Sequence, residues 1–123
     1  MVSSDEELLS LVRGSIGATN AVDVRTDVLR EELAEAKAEI SREVNERLTN
    51  GENLNFYQAD AAEKALVSLM LIRGKAVLRG KRRNTPKRLG ALRRHTFEDD
   101  DERFWRDELV RNLNRLNEMN DGN

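Results

Sequence analysis

The chain has 123 residues, of which 38% are hydrophobic, 36% charged and only 4% aromatic, with one proline, one histidine and no cysteine. That length suits a single domain over residues 1–123 with one modest core. The missing cysteines exclude a disulfide framework and a thiolate zinc site, and a lone histidine cannot form a metal-binding cluster.

A net charge of −2 hides a partition into three blocks: residues 1–72 carry −7, residues 73–94 carry +10 and residues 95–123 carry −5. A cationic block between two anionic ones suits a chain that grips polyphosphate or docks on the acidic face of another copy. Hydrophobic content is lean for a self-sufficient globule, which points to burial between subunits. There is no basic start followed by an apolar run and a cleavage site, so no signal peptide is expected. The richest apolar stretch, Ala65 to Ile72, is too short to span a bilayer, so no membrane partner is expected.

Ser4 followed by Glu7 reads as a capping box opening a short helix through Leu8, Leu9, Leu11 and Val12, closed by Gly14. From about Asp27 to Leu48, apolar or small residues recur at Leu29, Leu33, Ala36, Ile40, Val44 and Leu48. That spacing of three or four predicts a long amphipathic helix, roughly 33 Å at about 1.5 Å per residue, and Asn50-Gly51 supplies its stop. The third segment, about Phe56 to Arg79, is apolar on nearly every side between Ala65 and Ile72, as the central helix of a bundle is. Gly80 ends it. Residues 81–95, KRRNTPKRLGALRRH, show no sustained period, so a long basic loop with about one turn of helix is expected at about 80–96.

Thr96 with Asp99, or a following aspartate, caps a last helix over about 99–120. Trp105, Leu109, Leu113 or Asn112, Leu116 and Met119 line one of its faces. The fold class is therefore all-α, a small bundle of about four helices with the basic loop between the third and fourth.

No catalytic constellation can be assembled. Glu31, Glu35, Glu39 and Glu43 form an i,i+4 row off the apolar stripe. Such a row is a solvated face or a docking surface, because exposed carboxylates lack the burial that perturbs a pKa. Glu98 to Glu102 lacks the glycine and spaced oxygens of a calcium loop and suits a helix start. His95 has no partner in the sequence. Gly14-Ser-Ile-Gly17 has the form of a KH-type phosphate clamp, yet the sheet of that fold is missing. No cofactor is expected.

Arg73, Lys75, Arg79, Lys81, Arg82, Arg83, Lys87, Arg88, Arg93 and Arg94 are the candidate contacts to a partner or to nucleic acid, with Glu35, Glu39 and Glu43 as an acidic docking face. No aromatics interleave the basic residues, so contact with nucleic acid would be to phosphates.

The order of a short capped helix, a long acidic amphipathic helix, the apolar helix AAEKALVSLMLIRGKAVLRG, an irregular basic stretch and a C-terminal helix resembles the head-tail connector proteins of tailed viruses. The resemblance covers residues 5–80 in pattern and rests on size and helix order. The arginine bias and acidic helices also suit a virus of a halophilic archaeon. The resemblance implies a non-enzymatic adaptor in the neck of the virion, present in the host cytoplasm before assembly. It would form a cyclic homo-oligomer of commonly twelve copies beneath the portal, in contact with portal and with tail or stopper proteins. The genome would pass through that ring, with non-specific contact to viral DNA.

Head-to-tail contact pairs two different surfaces of one protein. Cations from residues 73–94 of one copy are thus expected against Glu35, Glu39 and Glu43, or the Glu98 to Glu102 run, of the next. The alternative reading is a small helical nucleic-acid-associated protein that binds phosphates through residues 73–94.

Overall fold

The computed structural model describes residues 4–15, 26–47, 54–78, 80, 85–97 and 100–117, and five helices occupy most of them. They are α1 (Asp5–Ser15), α2 (Thr26–Arg47), α3 (Phe56–Leu78), α4 (Leu89–Arg94) and α5 (Asp100–Asn117). The molecule is an all-helical small bundle, and α4 adds to the four helices expected from periodicity. Among the described residues no helix is long and apolar enough to cross a membrane.

Ser4 caps α1 as its spacing predicts. Its hydroxyl accepts the Glu7 N–H at 3.2 Å and its carbonyl accepts the Leu8 N–H at 3.0 Å. Asp5, Glu6 and Glu7 place negative charge at the positive end of the helix dipole. The helix does not close at Gly14 but continues to Ser15. Among the described glycines the left-handed conformation is taken at Gly80, where φ is +76° and the N–H reaches the Val77 carbonyl at 3.1 Å. A side chain is strained in that conformation, so glycine is the residue that can end α3 there.

A second capping box, not read from the sequence, opens α3. The Asn55 carboxamide oxygen accepts the Gln58 N–H at 2.8 Å, and the Gln58 carboxamide oxygen accepts the Asn55 N–H at 2.7 Å. Asparagine and glutamine here play the parts usually taken by Ser or Thr and Glu.

α3 is the axis of the bundle, with α1, α2 and α5 packed around it. Its Ala65, Leu69, Met70, Leu71 and Ile72 are buried on several sides at once, as the absence of a polar stripe predicts. α2 presents Leu29, Leu33, Ala36 and Ile40 to it, with Val44 partly buried at the end of the stripe. α5 contributes Leu109, Leu113 and Leu116, and both Asn112 and Leu113 turn inward. Trp105 is partly buried against them. Leu48, the Asn50-Gly51 stop, the Asp99 cap and Met119 lie outside the described residues.

α1 crosses α3 at Gly74. A Cβ on that residue would stand 2.3 Å from Val12 Cγ1, so glycine lets the two helices approach.

The segment 85–97 is anchored to the bundle through its own apolar residues. Leu89, Leu92 and Phe97 are all buried, and at about 1.5–3 kcal/mol for each fully buried large apolar side chain they hold α4 in place. One continuous apolar cluster runs from Leu8 through Leu29, Leu69 and Leu92 to Leu116. That cluster draws on all five helices of the one chain.

Candidate interaction surface

Among the described residues the basic block divides into cations paired within the bundle and cations on its exterior. Arg73, in the last turns of α3, is 3% exposed, and its Nη2 donates to Glu32 Oε2 and to Glu35 Oε2, each at 2.8 Å. Glu32 is as deeply buried as Arg73. A buried charge is tolerated when it is paired and hydrogen-bonded, and this arginine sits against two carboxylates from the facing helix.

Lys87 Nζ reaches the other oxygen of Glu35 at 3.3 Å, which ties the segment before α4 to α2. Burial pushes the Glu35 pKa up. Its side-chain contacts with Glu32 and Lys87 and the charge of Arg73 outweigh that effect, and the carboxyl is held below its ordinary 4.5.

Lys75, 1% exposed, reaches Asp101 at 3.3 Å and joins α3 to the first turn of α5. The structure thus brings Arg73, Lys75 and Lys87 to carboxylates of their own chain. Glu35, expected on an acidic docking face, is engaged in the same way. Glu39, largely buried, pairs with Arg42 at 2.6 Å, and Glu43 is partly buried.

The exterior half is carried by α4. Leu89 and Leu92 turn inward, so Arg88 at the N-cap and Arg93 and Arg94 in the last turn are exposed. None of the three makes an ion pair among the described residues. Arg79, Lys81, Arg82 and Arg83 lie outside the described residues.

The exposed face of α4 continues into a groove on α5, where Arg93 faces Arg106, Arg111 and Arg115 together with Tyr57 and Val110. The α5 arginines are braced by neighbouring acids. Arg106 reaches Asp107 at 2.7 Å and lies 5.9 Å from the Phe97 ring centroid. Arg111 pairs with Glu108. Arg115 donates to Asp60 Oδ2 at 3.1 Å and to Asn112 Oδ1 at 2.9 Å, and lies over the Tyr57 ring at 4.3 Å. Arg115 holds the Asp60 carboxyl below its ordinary value, with Lys64 adding to the effect. Tyr57 and then Asp60 stabilise the charged guanidinium in turn.

His95 meets Phe97 edge to face at 4.8 Å. Among the described residues no three His, Cys, Asp or Glu side chains come together in a way that could hold a metal ion.

Sequence reasoning missed two of these features. Glu32 falls three residues after Leu29 and four before Ala36, on the apolar stripe itself, so its burial had a periodic signal. The Tyr57–Asp60–Arg115 cluster joins residues up to 58 positions apart with no local pattern to mark it. Comparison with known proteins finds no matching family model, no matching curated protein and no matching solved structure.

Proposed function

We propose that the chain is a structural adaptor of a tailed virus, forming a ring of copies between portal and tail through which the genome passes. The reading rests on the helix order that resembles head-tail connectors. The observation that carries it is the division of the basic block. Arg73, Lys75 and Lys87 pair with acids of their own chain, while Arg88, Arg93 and Arg94 have no acidic partner among the described residues and stand on a short helix pinned by Leu89 and Leu92. A rigidly presented arginine face fits bidentate contact with carboxylates of a neighbour.

The test is electron microscopy of the purified protein with its portal. Arg88, Arg93 and Arg94 replaced together by glutamine should abolish ring formation while leaving helicity intact. Unaltered assembly of that variant contradicts the proposal.

A second reading, phosphate binding to nucleic acid, draws on the same three exposed arginines. In that case the wild-type protein binds duplex DNA with an affinity that falls steeply as salt rises, and the triple variant loses it. Weak DNA binding by the wild type, together with failed assembly of the variant, separates adaptor from nucleic-acid protein.

A further inference from the structure

The groove between α4 and α5 does not suit a phosphate backbone. Asp107 lines it, and Asp107, Glu108 and Asp60 already engage Arg106, Arg111 and Arg115, which leaves Arg93 for a single carboxylate and no row of free cations for successive phosphates. Val110 and the Tyr57 ring give it an apolar wall that a polyanion cannot use. The complement of such a groove is a protein segment with an exposed apolar side chain beside an unpaired carboxylate.

The outer face of α1 has that character. Leu11 is 46% exposed, and Glu7, four residues earlier and therefore on the same face, has no ion-pair partner among the described residues. With Ser10 and Gly14 they border a shallow open depression. The α2 row fits less well, since Glu35 and Glu39 are held by Arg73, Lys87 and Arg42. No large apolar side chain is exposed among its described residues.

We propose that the outer face of α1 in one copy docks into the α4–α5 groove of a second copy, with Glu7 against Arg93 and Leu11 against Val110 and Tyr57. The two surfaces differ, so the contact is head-to-tail and propagates from copy to copy. This inference deepens the adaptor-ring reading and rests on it for the closure of the ring.

The chain has no cysteine, so single cysteines report the contact without interference. Full-length Leu11→Cys and Val110→Cys proteins, each with wild-type helicity, are mixed at high concentration under mild oxidation. The mixed disulfide should form several-fold faster than either homodimer. Arg93→Glu in the Val110→Cys chain should slow it, and Glu7→Arg in the Leu11→Cys chain should restore it. A mixed rate no greater than the homodimer rates overturns the proposal. So does an adaptor ring on the particle in which Leu11 lies far from Val110, a result that leaves the adaptor reading standing. Preferential cross-linking by a protein that never binds portal removes the adaptor reading and leaves the contact.

Discussion

Arg73 and Glu32 stand 41 residues apart in the sequence and meet at 2.8 Å, each side chain 3% exposed. The pair sits between α2 and α3, with Glu35 and Lys87 completing it toward solvent. A positive charge from the most cationic block of the chain is thereby spent on the fold.

Arg73→Ala should cost about 3–5 kcal/mol, because it strands the buried Glu32 carboxylate. Glu32→Leu combined with Arg73→Met should recover most of that loss, since an apolar pair of similar volume removes both desolvation penalties. Urea denaturation of the wild type and both variants measures the difference.

Gly74 should be intolerant of a methyl group where other helical glycines are not. Gly74→Ala drives Cβ into Val12 Cγ1, a stiff β-branched side chain in the core, and should destabilise by about 1–3 kcal/mol. Gly14 and Gly90 have open space at the same position. Alanine at either should be neutral or should stabilise by up to about 1 kcal/mol through helix propensity. Val12→Ala combined with Gly74→Ala should relieve the clash, as thermal melts of the series will show.

Acid should weaken the bundle through Glu35. Its folded pKa lies below the ordinary 4.5, so the folded state binds its proton less readily than the unfolded chain does. The stabilisation is fully present above 4.5 and is lost as pH falls through the folded value. Asp60 acts in the same sense from its ordinary 3.8. Glu35→Gln should flatten the acid limb of stability against pH and leave the neutral region less stable than the wild type, a comparison that denaturation at a series of pH values provides.

Helices whose apolar residues recur every three or four positions were legible. Leu29, Leu33, Ala36 and Ile40 on α2, and Leu109 and Leu116 on α5, are buried as their spacing predicts. α4 was harder to see because it has six residues and its two leucines stand among arginines. Two buried positions cannot establish a period. The fate of the cations was not legible at all, since net charge by block says nothing of which side chains meet across 26, 41 or 52 residues. The exposed arginine face emerges only once Arg73, Lys75 and Lys87 have been assigned their partners.

The most direct test of the adaptor reading is the structure of the assembled virion. The account predicts a cyclic ring of this chain beneath the portal, with Arg88, Arg93 and Arg94 of each copy buried against a neighbouring protein. A single copy per particle, or an arginine face open to bulk solvent with no neighbour, contradicts it.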